Sequence, residues 1–243
     1  MEKNLKLIIF PLLHFIRRGL NVLKNHCFPQ TSLPPPPSPY DYYDKEARID
    51  CYNHFKKYFK NSIFLFADAI REYSIKKSIK NDKNLSKYYL EFGVYVGTSI
   101  NFFSQYLKNI YGFDSFEGLK EDMKGHDVPK GEFDLHGKIP KLNKNVVPVK
   151  GWIEETLPKF LKEKKPQINF VHIDVDTYPT TTFVLINLKP YLSKKCIILF
   201  DELFNYPGCD VGEYKALQES FDENEYKFLA FSKQGGRVVI QII

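Results

Sequence analysis

Four carboxylates stand at spacings that can hold a cation. Residues 170–177 read FVHIDVDT, so Asp174 and Asp176 end an apolar run two positions apart. Residues 197–205 read IILFDELFN, ending a second run in Asp201 and Glu202. Residues i and i+2 of an extended segment point the same way. Two such runs side by side in a sheet would bring all four acids to one rim. Like charges that close raise one another's pKa unless something compensates them. A hard divalent cation does so, and an oxygen-only donor set suits Mg²⁺, Mn²⁺ or Ca²⁺ rather than Zn²⁺. The competing reading is that some of these acids cap helices or pair with lysines, Glu202 above all. His172 lies on the same run and is expected to be a satisfied core histidine, not a ligand or base.

A second constellation lies upstream. Residues 88–99 read YYLEFGVYVGTS: a strand ends in Glu91-Phe92-Gly93, and a helix starts at Thr98 or Ser99. Gly93 and Gly97 let backbone approach a ligand closely. Thr98 or Ser99 is a good N-cap, and the helix start offers free amide donors. The Gly-x-x-x-Gly spacing lacks the third glycine of a dinucleotide fingerprint, which demotes hydride transfer. Residues 110–118, IYGFDSFEG, put Asp114 at the end of the next strand, where a carboxylate can accept from both hydroxyls of a ribose. Asp114 or Ser115 could equally start the following helix, and the two roles are compatible.

These residues need a scaffold of alternating strands and helices. Apolar runs predict strands near 88–93, 110–114, 146–150, 169–174, 196–201, 226–231 and 237–242. Amphipathic segments predict helices near 98–108, 153–162, 179–190 and 211–222. Such alternation implies an α/β fold, a mostly parallel sheet covered on both faces. The last two strands are joined only by Gln234, Gly235 and Gly236, so one of them should run antiparallel. Residues 120–140, with Gly125, Gly131 and Gly137, are long for a connection and read as a lid. Upstream, 45–80 reads as helical, giving a domain of 40–243 with a helical cap at 40–85 and an α/β core at 86–243. Tyr40, Tyr42 and Tyr43 are expected either to wall an acceptor or to pack the linker.

The first 39 residues differ in character. Residues 5–23 combine an apolar run of about ten residues with Pro11, Arg17 and Arg18, too short to span a bilayer. A helix packed on the domain or on a partner subunit, or one lying at a membrane surface, fits this pattern. LPPPPSP at 33–39 is a stiff spacer. The 243 residues carry a net charge of +6, and ten Lys/Arg against five acids fall in the first sixty. A folded body without a basic stripe argues against nucleic-acid binding. Four cysteines without metal spacing exclude a zinc finger and point to a reducing, cytoplasmic setting. A homo-oligomer is expected.

Together the stretches LEFGVYVGTS, GFDSFEGL, PKGEFDLHGKIP, VKGWIEETLP, HIDVDTYPTT, LFDELFNYPG and VGEYKALQESF resemble the macrocin O-methyltransferase family, in order and from about residue 40 to 231. HIDVDTY with FDE about twenty-five residues later is the most specific part. The resemblance implies a class I, Rossmann-like, doubly wound seven-stranded sheet and S-adenosylmethionine-dependent, Mg²⁺-assisted methylation of a sugar hydroxyl on a glycoside, glycan or natural product. It implies that Glu91, Gly93 and Gly97 border the methionine part of that cofactor, that Asp114 holds its ribose, that Gly151 and Trp152 lie near its adenine, and that Asp174 lies beside cofactor or metal. Asp176, Asp201 and Glu202 match the family's metal ligands, with Asp176 also the base. Glu202 departs from the aspartate the family often has there. Methylation of a catechol or other vicinal diol, and a non-catalytic adenosyl-binding scaffold, are the alternatives.

Overall fold

The computed structural model describes residues 36–243, and Pro39–Ile243 form one compact unit. The expected helix over 5–23, with its membrane or subunit contact, lies outside the described residues. The elements in chain order are α1 (Pro39–Phe59), β1 (Ile63–Leu65), α2 (Ala67–Lys80), β2 (Tyr88–Phe92), α3 (Thr98–Ser104), β3 (Ile110–Asp114), β4 (Val146–Lys150), α4 (Ile153–Lys164), β5 (Ile168–Ile173), α5 (Tyr178–Leu188), a 3₁₀ turn (Lys189–Tyr191), β6 (Leu192–Phe200), α6 (Glu213–Ser220), β7 (Tyr226–Ser232) and β8 (Val238–Ile242). No described helix is long and apolar enough to cross a membrane.

The strands form a single eight-stranded sheet in the order β1-β7-β8-β6-β5-β2-β3-β4. That is one strand more than expected. The addition is β1, inside the stretch read as helical, which pairs in parallel with β7 at the sheet edge. The break is local: the Asn61 and Ser62 amides close a turn on the Tyr58 and Phe59 carbonyls. The apolar Ile63-Phe64-Leu65 then extends, because β-branched and aromatic residues suit a pleated edge. β8 runs antiparallel to both β6 and β7, as the short Gln234–Gly236 turn requires.

Successive side chains of the central strands face opposite layers. Leu90, Phe92, Val171, Ile173, Ile198 and Phe200 join one core with Phe55 of α1, Leu157 of α4, Leu185 of α5 and Leu217 of α6. Tyr89, Phe170, Ile197 and Leu199 join the other with Ile70 of α2 and Phe103 of α3. β5 is buried along its whole length, as expected for a parallel strand covered on both faces. The chain leaves β2 outward through β3 and β4, then returns to β5 on the other side of β2. The crevice beyond the carboxyl ends of β2 and β5 is thus the switch point where such sheets take ligands.

Candidate functional site

Backbone pairing continues past these strand ends and sets the floor of the site. The Gly93 amide donates to the Phe113 carbonyl at 3.0 Å, Asp174 to Phe92 at 2.9 Å and Asp201 to Ile173 at 3.0 Å. Gly93 has φ +85°, and a Cβ there would lie 1.7 Å from the Asp174 carbonyl oxygen. Only glycine permits that approach. The loop after Gly93 is held by Asp114. Its Oδ2 accepts from the Val94 and Tyr95 amides at 2.7 and 2.8 Å, and its Oδ1 from the Phe116 amide at 2.7 Å. The Gly151 amide donates to the Asp114 carbonyl at 2.9 Å, fixing Trp152 at the N-terminus of α4.

The acids divide into two groups. Oxygens of Asp174, Asp176 and Glu202 lie within 4.8 Å of one another, all half-buried. Burial, together with the neighbouring Asp201 charge, pushes the carboxyls of Asp174 and Glu202 well above the usual range. Burial and the charges of Asp201 and Asp114 push Asp176 up to about 6. Asp176 also adopts φ +62°, a left-handed conformation uncommon for a non-glycine residue. Glu202 Oε2 is buried without a hydrogen-bond partner among the described residues. An oxygen-only, uncompensated trio with an orphaned buried oxygen fits a hard divalent cation.

Asp201 is not in that trio; it stands in a second group that could hold a cation, with His172 and Asp174, whose ligand atoms also lie within 4.8 Å of one another. Arg237 grips it with both ends of its fork, Nε to Oδ1 at 2.5 Å and Nη2 to Oδ2 at 2.9 Å. Arg71 Nη2 and His172 Nε2 approach the same Oδ1 at 3.5 and 3.4 Å. Burial opposes ionisation of Asp201, but His172 and Arg237 together outweigh it and hold the carboxyl far below its ordinary range. His172 is fully buried, and its Nδ1 lies 3.1 Å from Glu91 Oε2. Burial disfavours its charge, yet Asp201 and Glu91 prevail and raise its pKa to about 10. Ser99 Oγ closes the chain by donating to Glu91 Oε1 at 2.8 Å. His172 is therefore the satisfied core histidine expected.

Trio and loop open onto one cleft of about 930 Å³, including its mouth. Of the predicted residues, Gly93, Asp114, Ser115, Trp152, Asp174, Asp176 and Glu202 line it. Glu91, Gly97, Thr98, Ser99, Gly151 and Asp201 do not. Glu91 and Ser99 are buried behind it in the histidine network. Gly97 is the left-handed N-cap of α3, and Thr98 points to solvent. Tyr40, Tyr42 and Tyr43 are exposed on α1 and do not line this cleft.

The sequence reading missed five contributors. Tyr95 and Phe133 meet edge to face at 5.2 Å over the cleft. Lys120 lies 4.4 Å from the Trp152 ring centroid and 2.6 Å from Glu154 Oε2. Glu213, buried at the start of α6, accepts the Glu202 amide at 3.1 Å. Arg237 is the fifth. The glycines of the 120–140 segment were the available signal for Phe133, since Gly131 and Gly137 both take positive φ around it. That segment is anchored rather than loose: a Cβ on Gly125 would lie 1.6 Å from the Pro207 carbonyl oxygen, and Met123 is buried.

Residues 90–203 match the family model described as a methyltransferase domain. No curated protein is similar in sequence. Among solved structures, the chain is similar to CalS11, a calicheamicin methyltransferase, at 20% identity and TM-score 0.59, over 85% of this chain and 94% of that one. The apo form of CalS11, described as a TDP-rhamnose 3'-O-methyltransferase, aligns at 20% identity and TM-score 0.53, over 85% and 96%. Cofactor-bound Rv0187 from MTB aligns at 11% identity and TM-score 0.50, over 86% and 98%. The strand order and the crevice at its switch point are those of the class I methyltransferase fold that these structures share.

Proposed function

We propose that the chain is an S-adenosylmethionine-dependent O-methyltransferase that acts on a hydroxyl of a sugar-bearing small molecule with help from a divalent cation. The observation that carries this reading is the single cleft that joins a nucleoside-type loop to three uncompensated carboxylates. The description of CalS11 as a TDP-rhamnose 3'-O-methyltransferase supports a sugar acceptor over a catechol.

Asp114 and the amides it aligns would border the ribose of the donor, and Trp152, backed by Lys120, would flank the adenine. Tyr95 and Phe133 would cover the donor and exclude water. Asp174, Asp176 and Glu202 would hold the cation, most simply Mg²⁺, which would lower the pKa of an acceptor hydroxyl when bound. Methyl transfer is an in-line displacement, so alignment of hydroxyl and methyl carbon supplies much of the rate. Asp176 lines the same cleft and would take the hydroxyl proton. The buried Asp201 network serves as the rigid wall behind these groups.

The test is incubation with S-adenosylmethionine, Mg²⁺ and a panel of nucleotide sugars, glycosides and catechols, with formation of the demethylated cofactor as readout. Turnover confined to sugar acceptors and lost on chelation is expected. Binding of the cofactor with no turnover on any acceptor would leave a scaffold role, and turnover on catechols alone would exchange the acceptor class.

A further inference from the structure

A second cavity lies apart from the cleft, between α1 and the loop joining β6 to α6, and both Cys51 and Cys209 line it. Their sulfurs are 3.6 Å apart, with the Cys209 thiol donating to Cys51 Sγ. Cys51 Sγ also accepts the Asn205 amide at 3.0 Å. Arg48, one turn earlier on α1, reaches the Asn205 carbonyl at 2.5 Å and so stands beside the same sulfur. The hydrogen bond from Cys209, the Asn205 amide and the positive charge of Arg48 lower the Cys51 thiol pKa, against burial and the charge of Asp210. Cys196 is a useful contrast: it is fully buried in β6 and its thiol is pushed up by burial. A sulfur that accepts a backbone amide and touches a second thiol, beside a cavity, has the geometry of an attacking and a resolving cysteine.

We propose that Cys51 and Cys209 form a reversible disulfide when the protein meets a peroxide. The Cys51 thiolate attacks one peroxide oxygen, breaking the O–O bond; with one proton the leaving oxygen departs as water and Cys51 becomes a sulfenic acid. Cys209 then attacks that sulfur, forming the S–S bond and releasing a second water. Two thiols are oxidised and one peroxide is reduced. A dithiol reductant reverses the change. The bond would tie α1 to the loop that runs from Glu202 to Glu213, 158 residues apart in sequence. This inference stands apart from the methyl-transfer reading, since neither sulfur lines the cleft.

The experiment is treatment of the full chain with graded hydrogen peroxide, followed by peptide mapping without reductant and by thermal melting. A linked Cys51–Cys209 peptide is expected, with loss of two hydrogens in mass, a raised melting midpoint and full reversal by dithiothreitol. In Cys209→Ser the link and the midpoint shift should vanish while Cys51 becomes trappable as a sulfenic acid; Cys51→Ser should lose the link and the trapping. Recovery of both residues only as free thiols, as higher oxides or in links between chains would overturn the proposal. So would a midpoint shift that persists in Cys209→Ser.

Discussion

Asp201 and Asp176 sit in the same rim with opposite electrostatic surroundings, and this separates their roles. Asp201 is locked by Arg237 and His172, so it behaves as a buried structural anion. Removing one partner of such a pair leaves a charge uncompensated, which typically costs about 3–5 kcal/mol. Arg237→Met should therefore lower unfolding free energy by about that amount in urea titration, and a change below about 0.5 kcal/mol would mean the pair is not formed. Asp176 has no basic partner among the described residues, and its carboxyl faces the cleft. Asp176→Asn should slow methyl transfer by about 10²-fold or more while calorimetry shows cofactor affinity unchanged. Retained turnover would remove both the base and the metal role. Asp114→Ala frees the three amides it aligns and should weaken cofactor binding about tenfold or more, the loss of roughly one charged hydrogen bond.

At the scale of elements, the site depends on how closely β2 and β5 and the loops after them approach. Gly93 is where these loops meet most closely, with no room for a Cβ beside the Asp174 carbonyl. Gly93→Ala combines a left-handed φ with a backbone clash. It should destabilise the fold by about 3 kcal/mol and displace Asp174, so that metal and cofactor binding fall together; a crystal structure of the variant with both loops unmoved would contradict this. The β7–β8 hairpin has a matching role on the other flank. The Leu203 amide donates to the Gly236 carbonyl at 2.9 Å, and Arg237 follows directly. The return strand thus backs the Asp201-Glu202 turn and supplies its counter-charge.

Across the whole molecule, the uncompensated acids set how stability depends on pH. In the metal-free protein Asp176 titrates at about 6 folded, against an ordinary value of 3.8. The folded state therefore binds more protons through that window, and stability falls as pH rises across it. His172 acts above it: its folded pKa of about 10 exceeds the ordinary 6.5, so its contribution is complete below 6.5 and lost as pH climbs through 10. A chelator-treated sample should melt at lower temperature at about pH 7.5 than at about pH 5.5. Added Mg²⁺ should restore more at the higher pH, because protons compete with it for the same oxygens. Equal Mg²⁺ shifts at both values would mean the cation does not displace protons from this trio.

What the chain carries locally it also reveals locally. Buried runs of five or six residues, such as β5 and the Cys196–Phe200 end of β6, mark strands because no face is left for solvent. The acids closing those runs mark the rim, but Asp174 and Asp176 both lie past the end of β5, and Asp176 takes its place through a left-handed φ of +62° rather than through the alternation of an extended strand. Three-residue β1 was hidden among helical neighbours, since its pairing with β7 lies more than 160 positions away. The same distance effect hid the fate of Asp201. Four acids at the ends of two apolar runs look equivalent in sequence, but only the antiparallel insertion of β8 beside β6 pairs Phe200 with Val238 and so sets Arg237 against Asp201. Residue type gives a carboxylate its charge; the partner that packing brings to it decides whether that charge is neutralised inside the protein or left uncompensated at the cleft.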